Sequence, residues 1–367
     1  MNHKLNIVYN MKNLKRILYS GGGTGGSVTP LLALHQELIA NNSYIVALWV
    51  GTGFGPEQAM AKEANIDFRV IKSGKLRRYF SLQNFFDPLR VAFGFFEAIA
   101  IMRNFKPDIA ITAGGFVSVP VIWAAKLLGI TTIVHQQDAR PGLANKLMAP
   151  FATIITVTFK KSLEHYGKKA ILTGNPVKKV SVNINILAQR SKYNFNNILP
   201  IVLVMGGGTG ARKINELINE GLKDLCKFTN IIHITGKGKN QDTYNHQTPK
   251  NYMCLEFVNH AEMYNIYALA DIVVSRAGMG ALTELSYLKK PAIIIPMLSS
   301  HQEDNAKILG DTKAAIVLDQ KKLTAVALVS NIKTIIENKT LQNQLSINIE
   351  KAIKTDGAKE IAKIINK

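Results

Sequence analysis

Short apolar runs alternate with segments of helical spacing along almost the whole chain. The runs cover residues 16–20, 44–50, 68–71, 108–112, 131–135 and 153–157 in the first half, and 201–205, 231–235, 253–257, 271–275 and 292–296 in the second. They show little alternation of apolar with polar residues, which is typical of parallel strands covered by helices on both faces. The pattern therefore predicts the α/β class with doubly wound sheets.

A glycine loop follows the first apolar run of each half. It reads Gly-Gly-Gly-Thr-Gly-Gly at 21–26 and Gly-Gly-Gly-Thr-Gly-Ala-Arg at 206–212, and a helical pattern follows each loop. Because glycine lacks a Cβ atom, such loops let backbone N–H groups approach an anion at a helix N-terminus. The repeat predicts two Rossmann-like domains that face a cleft.

The domain boundaries follow from this repeat and from a polar segment after residue 177. A length of 367 residues agrees with two domains. We predict a first domain at 1–177 and a second at 178–345. A C-terminal helix at 346–367, interrupted near Asp356 and Gly357, is expected to pack back on the first domain.

Composition narrows the range of ligands. The formal net charge is +20, which favours nucleotides, pyrophosphates, acidic lipids or nucleic acid, with solvated surface lysines as the alternative. Two cysteines without paired Cys or His neighbours support neither a disulfide framework nor a zinc site, and they indicate a reducing compartment. The first 16 residues predict no signal peptide, and charges interrupt the apolar window 85–102, so no spanning helix is predicted.

Two polar loops of the first half follow predicted strands, where ligands of doubly wound sheets bind. One is the glycine turn at Gly114 and Gly115. The other is the run from His135 to Asp138, which leads to Asn145. Ordinary turn and capping chemistry is the alternative for both loops.

The segment from Asp271 to Glu284 predicts a strand, a glycine turn and a helix start. The unpaired N–H groups of that helix suit a diphosphate, and a carboxylate one turn in can accept both hydroxyls of a ribose. A capping box cannot explain Glu284, because Ala281 stands three residues earlier and cannot cap. A second polar run at 299–305 would face the same cleft, or would simply cap the next helix.

Together these motifs resemble the MurG family of peptidoglycan N-acetylglucosaminyltransferases, in glycosyltransferase family 28. The resemblance rests on both glycine loops, His-x-Gln-x at 135–138, Gly-Asn-Pro-Val at 174–177, Ser-Arg-Ala-Gly at 275–278 and Leu-Thr-Glu at 282–284. It implies a GT-B fold and an inverting, metal-independent transfer of N-acetylglucosamine from UDP-GlcNAc to a lipid-linked muramyl-pentapeptide. It also implies a peripheral protein at the cytoplasmic face of the cell membrane, acting in cell-wall synthesis, with cell-wall synthesis proteins as possible partners.

The resemblance also assigns residues to the two substrates. The donor-binding residues would be Thr24, Gly25, Gly26, Asp138, Lys178, Gly208, Thr209, Val258, Arg276, Ala277, Gly278, Ala281, Leu282, Thr283, Glu284, His301 and Gln302. The acceptor-binding residues would be Gly22, Gly23, Gly114, Gly115 and Asn145, and the loops at 22–26 and 114–115 would bind the acceptor's pyrophosphate. No cofactor is expected, and the chain contains no Asp-x-Asp pair for a metal ion.

Two positions depart from the family pattern. Ser27 stands where the family usually has histidine, and Gln136 where it usually has glutamate. Neither side chain can take a proton at neutral pH, so Asp138 is our candidate for the catalytic base. The alternative is that Asp138 replaces an asparagine that hydrogen-bonds the donor sugar.

A membrane-binding surface is expected around Lys75, Arg77, Arg78, Phe85 and Phe86, because cations beside aromatic residues suit an anionic lipid interface. Core packing is the alternative for the apolar positions.

Other functions stay open: a GT-B transferase with another UDP-sugar or glycolipid acceptor, and a non-catalytic UDP-sugar-binding protein. A nucleic-acid binder is disfavoured, because no recognised module appears and the basic residues are not interleaved with stacking aromatics.

Overall fold

The structure is a computed structural model that describes residues 14–41, 44–74, 83–180, 185–193, 195, 198–207, 210–239 and 249–367, with the backbone alone at 83–86. The chain forms two compact units. Unit 1 comprises Met1–Lys178 and Thr355–Lys367, and unit 2 comprises Lys179–Lys354. Among the helices of the described part, none is both long and apolar enough to cross a membrane.

Unit 1 is built on a seven-stranded, fully parallel sheet. Its strands are β1 (Lys15–Ser20), β2 (Ile45–Gly51), β3 (Asp67–Val70), β4 (Ile109–Thr112), β5 (Thr131–Gln136), β6 (Ile154–Val157) and β7 (Ala170–Leu172). Their order across the sheet is β3-β2-β1-β4-β5-β6-β7. The helices are α1 (Thr29–Ala40), α2 (Glu57–Glu63), α3 (Gln83–Phe105), α4 (Ser118–Leu127) and α5 (Leu143–Met148).

Helices cover both faces of this sheet. Because successive residues of a strand point to opposite sides, one strand contributes to two cores. Ile17 and Tyr19 pack in one core with residues of α1. Leu18 points the other way and packs with Met102 of α3 and Val121 of α4. The first sheet is therefore buried on both sides, as the continuous apolar runs predict.

Unit 2 is built on a six-stranded parallel sheet. Its strands are β8 (Ile201–Met205), β9 (Asn230–Ile234), β10 (Tyr252–Leu255), β11 (Ile272–Ser275), β12 (Ala292–Ile294) and β13 (Ile316–Val317), in the order β10-β9-β8-β11-β12-β13. The helices are α6 (Ile186–Lys192), α7 (Arg212–Leu225), α8 (His260–Leu269), α9 (Met279–Tyr287), α10 (Gln302–Asp311), α11 (Ala325–Glu337) and α12 (Lys339–Ala352). Two doubly wound parallel sheets confirm the predicted α/β class.

The chain returns to unit 1 at its C-terminal end. Helix α13 (Gly357–Asn366) packs against α1, and Lys15 Nζ donates to the carbonyl of Ile365 at the end of that helix. Ahead of α13, Asp356 forms an antiparallel bridge with Pro176. The turn at 174–176 and the returning segment therefore lie side by side.

The return begins later than the predicted segment 346–367. Residue 346 lies inside α12, which belongs to unit 2 and ends at Ala352. The hydroxyl of Ser286 in α9 donates to the carbonyls of Ile349 (2.6 Å) and Ile353 (2.9 Å) at the end of α12. This contact keeps the end of α12 in unit 2, so only the segment from Thr355 onward returns.

We expect Gly357→Ala to destabilise unit 1. A Cβ atom at position 357 would lie 2.6 Å from the Gly174 carbonyl oxygen and 2.5 Å from the Asn175 carbonyl carbon, both of them backbone atoms. Overpacking of this kind costs about 1–3 kcal/mol of unfolding free energy, which urea titration would measure. Gly142→Ala is the matched control, since a Cβ there meets nothing within 4 Å. Equal unfolding free energies for the two variants would contradict the expectation.

Candidate functional site

The loops that follow β1 and β4 meet where the strand order of unit 1 reverses, which is where ligands bind in doubly wound sheets. Gly115 has φ +96°, and a Cβ atom there would lie 3.1 Å from the Gly22 carbonyl oxygen. Glycine is required at 115 for both reasons. The structure thus brings together the predicted pairs Gly22–Gly23 and Gly114–Gly115.

The first glycine loop presents backbone donors at the start of a helical segment. Thr24 and Gly26 are exposed, and a 3-10 turn at Gly25–Ser27 leads towards α1. No residue of the described part accepts a hydrogen bond from the N–H groups of Thr24, Gly25 or Gly26. Such unpaired donors at a helical N-terminus suit an anionic group.

Glu57, the first residue of α2, was not among the predicted site residues. Its side chain is fully buried and accepts hydrogen bonds from the N–H groups of Gly23 (3.1 Å) and Thr52 (3.0 Å) and from the Thr52 hydroxyl. The Gly23 N–H is therefore already bound to Glu57, and the acceptor-binding role of Gly23 stays a prediction. The available signal was an acidic residue next to the glycine-rich stretch 51–55.

His135 is part of the core and not an exposed base. Nε2 lies 2.7 Å from Asn175 Oδ1 and Nδ1 lies 2.9 Å from Thr156 Oγ1. The amide oxygen can only accept, so Nε2 carries the hydrogen and Nδ1 accepts from the threonine hydroxyl. Burial lowers the pKa of His135 from 6.5 to about 4, against the opposing effect of the hydrogen bond to Asn175. The imidazole is neutral at physiological pH and ties β5 to the turn at 174–177.

Gln136 uses its whole amide inside the protein. Nε2 donates to the carbonyls of Asp138 (2.7 Å) and Arg140 (3.4 Å). Oε1 accepts from Asn145 Nδ2 (2.7 Å) and from the Tyr166 hydroxyl (2.9 Å). A glutamate in the same place would set a carboxylate oxygen against two carbonyls, so this loop conformation favours the amide. Gln136 and Asn145 therefore shape the loop after β5.

Gln137 joins three loops of the carboxyl edge. Its Nε2 donates to the carbonyls of Gly26 (2.9 Å) and Ala113 (3.0 Å), so the loops after β1, β4 and β5 are linked by one side chain. Ser27 lies beside this contact and donates its hydroxyl to the carbonyls of Gly22 (3.2 Å) and Thr24 (3.3 Å). Asp138, in the same loop as Gln137, is only half-buried. Its carboxylate is therefore partly accessible from outside the core.

In unit 2, the corresponding reversal of strand order lies between β8 and β11. The glycine loop after β8 includes Gly208 and Thr209, which lie outside the described residues. Gly210 has φ +70°, and a Cβ atom there would lie 2.1 Å from the Thr235 carbonyl oxygen. The close approach of two loops therefore requires glycine at 210.

A buried histidine lies beneath this loop. His233 Nε2 lies 3.0 Å from Asn215 Oδ1 and Nδ1 lies 2.9 Å from the Tyr252 hydroxyl. Asn215 in turn donates to the Thr235 carbonyl (3.2 Å). Burial lowers the pKa of His233 from 6.5 to about 4. The network joins α7, β9 and β10 through a neutral imidazole.

We expect the two buried histidines to make the protein sensitive to acid. Each has a native pKa of about 4, against the ordinary histidine value of 6.5, so the unfolded chain binds more protons between these pH values. The stability is fully present above pH 6.5 and is lost as the pH falls towards 4, by up to about 3 kcal/mol for each histidine. NMR titration should show His135 and His233 resonances that do not shift between pH 8 and 5. In the urea-unfolded protein the same resonances should titrate near pH 6.5, and native titration above pH 6 would contradict the assignment.

The start of α9 forms the candidate anion site of unit 2. Gly278 precedes the helix with an extended backbone, and Arg276 lies two residues before it. Arg276 Nη1 donates to the carbonyls of Ile295 and Pro296, both at 3.0 Å, which fixes the arginine against the end of β12. Burial lowers its pKa from the usual value. The guanidinium remains charged at neutral pH and has further N–H donors besides those on Nη1.

Glu284 lies one turn into α9, half-buried beside α8. Tyr267 donates its hydroxyl to Glu284 Oε2 (2.9 Å), and Tyr267 is itself buried. Burial raises the pKa of Glu284 to about 7, although the tyrosine hydrogen bond opposes this rise. Desolvation also raises the pKa of Tyr264 and Tyr267, the neighbouring groups of α8, so both stay protonated. Tyr267 was not predicted, because seventeen residues separate it from its partner.

The remaining predicted donor residues divide between core and surface. Ala277, Leu282 and Thr283 are buried, and the Thr283 hydroxyl donates to the Met279 carbonyl. The other residues are partly or fully accessible: Lys178, Val258, Ala281, His301 and Gln302. Gln302 Oε1 accepts from the Met297 N–H, which orders the loop before α10. Asn305, absent from the predicted set, is buried and donates to the Ala277 carbonyl (3.1 Å).

Comparison with known proteins places both units in one family. The model of the glycosyltransferase family 28 N-terminal domain matches residues 17–157, and that of the family 28 C-terminal domain matches residues 201–363. A Clostridium botulinum (strain Langeland) protein is 38% identical over 96% of this chain and 99% of its own length. A Clostridium kluyveri protein is 40% identical over 87% of this chain and 91% of its own. Both are named UDP-N-acetylglucosamine--N-acetylmuramyl-(pentapeptide) pyrophosphoryl-undecaprenol N-acetylglucosamine transferase.

Solved structures agree at the level of the fold. The crystal structure of Acinetobacter baumannii MurG matches with a TM-score of 0.71 and 23% identity, over 96% of this chain and 99% of that one. A putative UDP-N-acetylglucosamine 2-epimerase from Listeria monocytogenes reaches the same TM-score of 0.71 at 11% identity, over 96% and 95% of the two chains. Since a fold of this type supports several reactions, the site residues have to decide the chemistry.

Proposed function

The chain belongs to glycosyltransferase family 28, and we propose that it transfers N-acetylglucosamine from UDP-GlcNAc to the muramyl sugar of a pyrophosphoryl-undecaprenol-linked pentapeptide. The full-length relatives carry the name of this reaction. Within the chain, the observation that carries the proposal is the start of α9, where a glycine turn, Arg276 and Glu284 adjoin one helix N-terminus. This arrangement suits the diphosphate and the ribose of a nucleotide sugar.

The chemistry follows from the charges that develop. An inverting transfer by single displacement breaks the bond between the sugar anomeric carbon and UDP while the acceptor hydroxyl attacks from the opposite face. Negative charge grows on the departing UDP, where the N–H groups of α9 and Arg276 would stabilise it. The acceptor hydroxyl loses its proton to a base, for which Asp138 is our candidate. We propose that helix and arginine charges replace a divalent metal ion.

UDP release tests the proposed reaction. The assay uses UDP-GlcNAc, with UDP-GalNAc and UDP-glucose as controls, in the presence and absence of a lipid-linked muramyl-pentapeptide analogue. Acceptor-dependent release with UDP-GlcNAc alone is expected. Release with another donor would indicate a related transferase, and UDP binding without any release would indicate a non-catalytic binding protein. Unchanged release after addition of EDTA is the result expected for a metal-independent reaction.

We also propose that unit 1 associates with an anionic membrane surface through α3. Leu89, Phe93 and Phe96 recur at helical spacing and are 56%, 56% and 67% exposed. Lys72 Nζ lies 4.9 Å from the centre of the Phe93 ring, so a cation borders the apolar stripe. Cations beside exposed aromatic side chains suit a lipid interface. The side chains predicted for this role at Lys75, Arg77, Arg78, Phe85 and Phe86 lie outside the described residues.

Replacing Leu89, Phe93 and Phe96 together with serine should lower binding to phosphatidylglycerol vesicles about tenfold or more, because apolar area enters the interface. Vesicle flotation measures the bound fraction. The control replaces Val326 and Ile347 with serine, since these residues of unit 2 are 80% and 52% exposed. A Lys75, Arg77 and Arg78 triple-alanine variant tests the cationic part. Equal flotation of wild type and both unit 1 variants would reject the proposed surface.

A further inference from the structure

We propose that Glu57 is a positioning residue for the acceptor, fixing the first glycine loop so that the N–H groups of Thr24, Gly25 and Gly26 meet a phosphate group. The inference rests on the proposed function for the identity of the acceptor. It assigns a role to a residue that lies outside the glycine-loop and HxQx motifs.

The surroundings of Glu57 offer its carboxyl oxygens only hydrogen-bond donors. The side chain is 0% exposed, and a buried carboxylate is tolerated only where hydrogen bonds replace its hydration. Oε1 accepts from the N–H and hydroxyl of Thr52, and Oε2 accepts from the Gly23 N–H. All three partners act as donors, so the carboxyl group acts only as an acceptor.

Three glycines leave the space that this carboxylate occupies. A Cβ atom at Gly22 would lie 2.2 Å from Oε1, and one at Gly55 would lie 1.8 Å from Oε2. At Gly51 a Cβ atom would lie 2.9 Å from Cγ of the same side chain. The loops after β1 and β2 therefore close around Glu57, which explains glycine at 22 and 55, while at 51 the Phe68 ring, 2.7 Å from such a Cβ, excludes a side chain as well.

The position of Glu57 decides which part of the loop can bind an anion. Gly23 has φ +83°, a conformation that glycine adopts without strain, and its N–H points to the carboxylate. The negative charge repels a phosphate from this end of the loop. The unpaired N–H groups of Thr24, Gly25 and Gly26 lie on the exposed side, next to the start of α1. The anion is thus directed to these three residues.

A role as the catalytic base does not fit Glu57. The carboxylate is enclosed by the two loops and has no exposed surface, and a general base has to reach the proton that it removes. The side chain acts through the loop that it holds. Its contribution should therefore appear in acceptor affinity and not in donor affinity.

Glu57→Gln tests this role. The variant amide can keep its oxygen towards Thr52, but it then turns an NH2 group towards the Gly23 N–H, so this hydrogen bond is replaced by a contact between two donors. We expect the Kd of a soluble lipid-linked muramyl-pentapeptide analogue, measured by calorimetry, to rise at least tenfold. The KM for UDP-GlcNAc should change less than twofold.

Thr52→Val is the matched control, because it removes only the hydroxyl that donates to the other carboxylate oxygen. Its acceptor Kd should stay within threefold of wild type. If Glu57→Gln does not fold, Gly55→Ala replaces it, since the added Cβ displaces Oε2 while the charge remains. Similar acceptor Kd values for wild type, Glu57→Gln and Gly55→Ala would overturn the inference, as would equal changes in donor and acceptor constants.

Failure of the inference and failure of the proposed function give different results. Wild-type protein that binds the analogue without releasing UDP contradicts the proposed reaction, while the ratio of Kd values still decides the role of Glu57. Wild-type protein that does not bind the analogue overturns the inference directly. Acceptor-dependent UDP release with an unchanged Kd in Glu57→Gln supports the reaction and rejects the positioning role.

Discussion

Asp138→Asn should lower kcat about 100-fold or more, because the variant removes the proposed base while keeping the size of the side chain. Three other polar side chains of this edge cannot act as the base at neutral pH. His135 is buried and neutral, with a pKa of about 4, and Gln136 cannot take a proton. The Ser27 hydroxyl is a hydrogen-bond donor to two carbonyls and cannot act as a base at neutral pH. Steady-state rates at saturating donor and acceptor measure the effect.

Ser27→Ala is the control for the assignment of the base. The serine hydroxyl acts as a donor to Gly22 and Thr24, so we expect its loss to change kcat by less than about fivefold. An unchanged kcat in Asp138→Asn would remove the aspartate from the role of base. A raised KM for UDP-GlcNAc with unchanged kcat would instead assign Asp138 to the donor sugar, the alternative left open by the sequence.

Glu284→Gln should lower kcat/KM for UDP-GlcNAc about 100-fold, because a neutral amide cannot accept from both ribose hydroxyls with charge-assisted bonds. In the wild-type protein, burial raises the pKa of Glu284 to about 7. The carboxylate is ionised above this pH and protonated below it. The value of kcat/KM should therefore fall about tenfold for each pH unit below 7, and the variant should lose this dependence.

Tyr267→Phe distinguishes the carboxylate from other titrating groups. The Tyr267 hydroxyl donates to Glu284 Oε2 and lowers the pKa of that carboxyl group. Removal of the hydroxyl should move the acid limb of the kcat/KM profile to higher pH. Tyr264, the other ionisable neighbour on α8, stays protonated because burial raises its pKa. An acid limb that does not move in Tyr267→Phe would assign the titration to a different group.

The site was predictable wherever its chemistry is local in the chain. The α9 start, Arg276 and Glu284 form one continuous segment, so the sequence alone places them at a helix N-terminus. The resemblance to the MurG family, drawn from such local motifs, is confirmed by the relatives and by both family models. Glu57 and Tyr267 were not predicted, because Gly23 and Glu284, the partners that connect them to the site, stand 34 and 17 residues away.

By itself the sequence determined the two doubly wound sheets, because continuous apolar runs and glycine loops are local signals of buried parallel strands and helix starts. Tertiary structure decided the rest. The strands β7 and β13, of 3 and 2 residues, are too short to give a pattern and form only beside β6 and β12. The return of the chain at Thr355 depends on contacts of Gly357 with the distant turn at 174–176. The role of Gln136 in shaping the loop after β5 depends on four partners that only the folded chain brings together.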